Sequence, residues 1–233
     1  MPPVRPRNDP AQYDDLAEEW WRPDGAFAAL HWLAEVRAQG IPAANGGRPL
    51  LVDLGCGGGL LAPHVHGYRH VGVDLSQKAL TAARAHGIVP LRADATRVPL
   101  ADGCADVVVA GELLEHVTDL EGAVAEIARV LRPAGVVVID TINATWWSRF
   151  SLVTIGERMP GGPPRRIHDP ALFVKPDRLR DLFVKNGLSV RLRGLRPSFR
   201  DYSRFLFDRT RRVRMLPTRS LSAVYQATGT KQA

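Results

Sequence analysis

The chain has 233 residues, 45% hydrophobic and 24% charged, with 31 Lys and Arg against 24 Asp and Glu for a net charge of +7. That length suits one well-cored α/β domain over residues 1–233, and the ordinary apolar and charged fractions exclude fibrous and disordered classes. Its two cysteines, Cys56 and Cys104, form no CxxC pair, the start "MPPVRPRNDPAQYDD" lacks a signal-peptide core, and no run reaches the roughly 18 uncharged apolar residues of a membrane span, so a cytoplasmic protein without disulfides is expected.

In chain order, "YDDLAEEWWRPDGAFAALHWLAEVRAQG" has helical spacing interrupted at Arg22-Pro23, which predicts two helices and a helical N-terminal cap over residues 1–40. Strand-like runs follow at 50–54, 70–74, 88–91, 106–110 and 135–140, with helical stretches "SQKALTAARAHG" and "LEGAVAEIARVLRPAG" between them. Alternating βα units predict a Rossmann-like, doubly wound, mostly parallel sheet, which two late runs at 188–192 and 221–227 bring to seven strands. The stretch 141–186 contains "TINATWWSRFSLVTIGERMPGGPPRRIHDP", too long for an ordinary connection, and is expected to form a lid. Its Trp146, Trp147, Phe150, Val153 and Ile155 would cover a ring, carry a lipid tail, rest on a membrane beside Arg149, Arg158, Arg165 and Arg166, or pack back on the sheet. Residues 175–219 hold fourteen Lys or Arg against four Asp. This segment reads as a solvated Arg-rich face, because no RRM, KH or zinc-knuckle pattern accompanies it, and nucleic acid is not an expected partner.

The glycine loop carries the cofactor question. "VDLGCGGG" places Gly55, Gly57 and Gly59 on a strand-to-helix turn with Asp53 just inside the strand. Asp74, ending the next strand, can accept hydrogen bonds from both ribose hydroxyls of either NAD or an adenosyl-sulfonium. The dinucleotide fingerprint fits only out of register, on Gly57, Gly59 and Ala62. A carboxylate at Asp53 attracts a cationic sulfonium cofactor with its ammonium group and would repel a pyrophosphate, which favours S-adenosylmethionine.

Through "WWRPDGAFAALHWLAEVR", "VDLGCGGGLLA", "GVDLS", "GELLEHVTD", "LRPAGVVVIDTIN" and "HDPALFVKP", the chain resembles class I S-adenosylmethionine-dependent methyltransferases, and within them the ubiquinone-biosynthesis O-methyltransferase family. The likeness covers roughly residues 13–190 and implies one antiparallel edge strand in the sheet. It further implies Gly55 beside the methionyl group, Asp74 with Leu75 at the ribose, Asp94-Ala95 at the adenine and Gly111 against the cofactor. Arg37 would close the site on the methionyl carboxylate, although "LAEVR" departs from the family's Asn-Pro before that arginine.

On the acceptor side, Glu112, Glu115 and His116 stand at i, i+3 and i+4, so an α-helix would project all three from one face, where they could hold Mg²⁺ or another divalent ion. The resemblance implies such a metal for catechol-type acceptors, where it would lower the pKa of the attacking hydroxyl. Without a metal, His116 is a candidate general base, as is His168 oriented by Asp169, and Glu115 completes the candidate catalytic set. The expected acceptor is a small aromatic, a catechol or phenol, methylated on oxygen. N- or C-methylation, an NAD-type oxidoreductase and an RNA methyltransferase stand as alternatives.

Overall fold

The computed structural model describes residues 5–232. Strand β1 (Leu50–Leu54) is buried at every position. A strand with parallel neighbours and covered faces reads as a continuous apolar run, and "LLVDL" departs from that only at Asp53. Beside it lie β2 (Arg69–Asp74) and β3 (Val89–Arg92) on one side, and β4 (Ala105–Gly111) and β5 (Leu131–Ile142) on the other, all parallel. Strand β8 (Val224–Lys231) then pairs antiparallel with β5, β6 (Leu188–Pro197) with β8, and β7 (Met215–Thr218) with β6, giving the order 3-2-1-4-5-8-6-7.

The doubly wound reading holds, with eight strands where seven were expected. The additional one is β7, whose Pro217 cannot donate to a ladder and is tolerated because β7 is an edge. The antiparallel strand expected at an edge corresponds to two: β8 inside the sheet and β7 at its margin.

Helices α1 (Ala11–Asp15) and α2 (Ala28–Ala38) flank the break at Pro23. Helix α3 (Gln77–Ala85) starts where Ser76 Oγ accepts the Ala79 N–H at 3.0 Å, and α4 (Leu120–Val130) where Asp119 accepts from Gly122 at 2.9 Å. Helices α4 and α6 (Pro176–Lys185) pack Ile127, Leu179 and Phe183 into one core with Val52 and Leu54. On the opposite face Leu51, Val107 and Val138 meet Ala38 of α2.

After β5, the stretch expected to form a lid begins with α5 (Trp146–Ser148), a π-helical turn over Arg149–Ile155 and a 3₁₀ turn over Gly156–Arg158. The basic segment, read from sequence as a solvated Arg-rich face, folds into the end of β6, helix α7 (Phe199–Phe207) and β7. Helix α7 buries only Asp201 and Phe205, too few apolar positions to print a helical period. No helix among the described residues is long and apolar enough to cross a membrane.

Candidate active site

Parallel strands deliver their carboxyl ends to one edge, and the chain order reverses between β1 and β4, the switch point where such sheets bind ligands. There Gly55 turns at φ +67 and donates its N–H to Val73 O at 2.8 Å. Asp74, at the end of β2, is pinned by N–H groups of Gly57 at 2.9 Å and Ser76 at 2.8 Å. Burial pushes its carboxyl pKa up, and those two hydrogen bonds oppose the shift. Each oxygen keeps a lone pair beside a cavity of about 130 Å³, which Gly55, Leu75, Asp94 and Ala95 also line.

The other predicted cofactor residues are placed differently. Gly111 lines a second, larger cavity, and Arg37, Asp53 and Gly57 line neither. A Cβ on Gly57 would lie 2.3 Å from the Trp20 ring and one on Gly58 2.5 Å from it, so these glycines admit an indole from the N-terminal cap. Trp21 ties the same loop by donating to Gly58 O at 2.8 Å. Arg37 does not reach out as an unpaired guanidinium: its Nε and Nη2 each meet Asp140 at 2.6 Å, a bidentate buried pair. Burial disfavours its charge, yet Asp140 holds its pKa raised, and Gly111 is a glycine because a Cβ there would strike this guanidinium at 1.8 Å. Asp53 is buried beneath the loop, 3.4 Å from His70 Nε2.

The acceptor-side cluster also differs from its helical reading. Only Leu114–His116 is helical, as a single 3₁₀ turn, and Glu112 precedes it at φ +51. The i, i+3, i+4 face therefore does not form. Instead Glu115, His116 and His168 bring donor atoms within 4.8 Å of one another. Glu115 accepts from Thr141 Oγ1 at 2.7 Å through Oε2, while its buried Oε1 has no partner, and burial pushes its pKa up to about 7. Burial, and then the charge of Glu115, raises Glu112 well above the usual carboxylate range. Burial lowers His116 to about 4 and, helped by His116 and Arg7, holds His168 well below the usual imidazole value. The two rings stack at 5.1 Å. Asp169, expected to orient His168, accepts from Ala171 N at 3.0 Å, and His168 Nδ1 is buried without a partner.

The second cavity, about 610 Å³, is walled by apolar side chains including Phe27, Leu30, Leu33, Ile142 and Leu152. Tyr13, Trp20, Glu112 and His116 line both cavities and so form their shared wall. Two ligands could meet across it, with water displaced by the aromatic cap and a neutral imidazole at the junction. Sequence reasoning missed Tyr13 and Asn8, which contact His116 from more than 100 residues away; an Asn in a turn before an aromatic was the only local sign.

A family model described as a methyltransferase domain matches residues 52–139. The ubiquinone biosynthesis O-methyltransferase of Cupriavidus pinatubonensis is 34% identical over 212 residues, covering 83% of each chain. This chain belongs to the ubiquinone biosynthesis O-methyltransferase family. A relative of the same description from Thiobacillus denitrificans is 36% identical over 191 residues, 77% of this chain and 82% of its own. Among solved structures, an S-adenosylmethionine-dependent methyltransferase from Thermotoga maritima, described as a possible histamine N-methyltransferase, shares the fold with a TM-score of 0.67 at 21% identity, over 95% of this chain and 97% of its own. Family membership makes this an S-adenosylmethionine-dependent methyltransferase and removes the dinucleotide alternative.

Proposed function

We propose that this enzyme methylates a hydroxyl of a phenolic quinone precursor bearing an apolar substituent. The observation that carries the reading is the wall of Tyr13, Trp20, Glu112 and His116 between a small cavity at the Asp74 carboxylate and a larger apolar one. The small cavity suits S-adenosylmethionine, because Asp74 offers lone pairs for vicinal ribose hydroxyls beside Leu75, Asp94 and Ala95. That cofactor supplies a methyl group on a positively charged sulfur. The apolar cavity takes the ring and substituent of the acceptor and excludes water. His116, kept neutral above about pH 4 by burial, would take the hydroxyl proton as the acceptor oxygen displaces the methyl from sulfur, and would release it to solvent once the product leaves.

A second reading is favoured by the donor set itself. Glu115, His116 and His168 lie within 4.8 Å of one another, and Glu115 Oε1 and His168 Nδ1 are buried without partners. A divalent ion held there would acidify an acceptor hydroxyl, and a catechol would bind better than a simple phenol. Mass spectrometry of products from catechols and phenols with alkyl side chains tests both. Methyl ethers formed equally in EDTA support His116 acting alone, loss in EDTA with recovery on adding Mg²⁺, Mn²⁺ or Zn²⁺ supports the ion, and cofactor binding with no ether from any phenol overturns the acceptor class.

The same reading extends to where the acceptor comes from. Trp147 and Phe199 line the large cavity from α5 and α7, next to Trp146 (72% exposed) and, at the end of α7, Phe207 (94%). Arg149, directly after α5, and Arg200 and Arg204 on α7 are exposed beside them, a composition that suits docking on an anionic lipid surface.

A further inference from the structure

A neutral imidazole has two tautomers, and only one leaves Nε2 as a bare acceptor. At His116 the choice follows from one neighbour. Asn8 Nδ2 donates to the His116 backbone carbonyl at 2.9 Å, which turns Asn8 Oδ1 onto His116 Nδ1 at 2.6 Å. An amide oxygen only accepts, so Nδ1 must carry the hydrogen. Flipping the amide would set two carbonyl oxygens against each other. We infer that Asn8 is a positioning residue for methyl transfer, clamping the backbone and ring of His116 so that Nδ1 is protonated and Nε2 faces the wall between the cavities as an acceptor.

The surroundings agree. Tyr13 OH lies 3.3 Å from Nε2, a long contact in which the phenol donates and which a bound acceptor hydroxyl can displace. The other groups around the ring are Glu115 from its own turn, Glu112 just before that turn and His168 from the facing loop, the last stacked so that it fixes the ring plane without competing for either nitrogen. Asn8 is itself held. Its N–H donates to Arg166 O at 3.2 Å, and Gln12 Nε2 bridges Pro6 O at 3.0 Å and Arg166 O at 3.1 Å. Arg7 pairs with Glu157 and donates to His168 O, so residues 5–12 strap both imidazoles to the segment 157–168. Asn8 adopts φ +58, which asparagine tolerates better than most residues, and this allows the strap to turn there.

The inference rests on His116 receiving the acceptor proton, but the tautomer can be read without turnover. Long-range ¹H–¹⁵N spectra of the full-length protein should show His116 Nδ1 as an N–H nitrogen and Nε2 as a bare one. Asn8→Gly, which keeps the left-handed turn, should lose that preference and lower kcat roughly 10- to 100-fold, as expected when an orienting hydrogen bond to a working imidazole is removed. An Nε2–H resonance in the wild type, or an Asn8→Gly variant whose tautomer or kcat does not move, would overturn the inference. If the wild type methylates no phenol, the acceptor reading fails alone, and the spectra still decide the tautomer.

Discussion

Glu112 combines two local penalties. It adopts φ +51, where a Cβ costs about 1–2 kcal/mol, and its carboxyl is buried beside Glu115, which disfavours its charged form. Such strain persists where a side chain must point somewhere specific, here into the wall between the cavities. Glu112→Gly should therefore raise the thermal midpoint by several degrees while lowering methyl transfer, since about 1 kcal/mol moves Tm by roughly 2–4 °C in a domain of this size. Calorimetry and turnover on the same preparation check this, and a less stable variant would mean that the carboxylate is satisfied in solution. The Arg37–Asp140 pair has the opposite character: both nitrogens and both oxygens are matched, so its strictness shows in Gly111, where no Cβ fits.

At the scale of elements, α7 is the least expected part of the molecule. Its exposed Phe199 and Phe207 flank Arg200 and Arg204, and Arg196 lies over the Phe199 ring at 5.3 Å. If this face meets lipid, the protein should sediment with vesicles containing phosphatidylglycerol and much less with phosphatidylcholine alone, and the double variant Trp146→Ser, Phe207→Ser, at two exposed rings that line neither cavity, should lose binding but keep turnover on a water-soluble phenol. Equal recovery with both vesicle types would remove the lipid role. Legibility followed periodicity. Strand β1 was readable to the residue because a doubly covered strand is an apolar run, broken here only at Asp53, and α3 and α4 because their apolar residues recur at helical spacing. Helix α7 and strand β7 were not, since an Arg-rich surface helix and a Pro-containing edge carry little apolar pattern. Within the site, Asp74 was legible as the acid ending a strand. The partners of Arg37 and His116 were hidden, because Asp140 and Asn8 lie 103 and 108 residues away in sequence and no spacing rule links them.

For the whole molecule, the buried cluster shapes stability against pH. His116 titrates near 4 when folded and about 6.5 when unfolded, so its contribution is full above 6.5 and is lost as pH falls towards 4; His168 acts in the same direction. Glu115, raised to about 7, and Glu112, also raised, do the reverse: the folded state keeps protons that the unfolded chain has released above about 4.3, so stability drains as pH rises through that window. Between about pH 4.5 and 6.5 the two pairs oppose each other. Glu115→Gln removes one opposing carboxyl, so the variant's stability relative to wild type should climb with pH by up to about 1.4 kcal/mol per pH unit across that interval. Denaturant melts at three pH values measure it, and parallel curves would place Glu115 ionised throughout. The position of β8 bears on how the molecule is made. Because Val224–Lys231 joins β5 to β6, a ribosome that has not yet released those residues holds a parallel half-sheet whose outer strand, with Val136 to Ile142, offers an unpaired apolar edge. Until the last strand threads in, the nascent chain is a substrate for chaperones or for its own neighbours, so slow synthesis of this segment should favour aggregation of chains whose methyl-donor half is already formed.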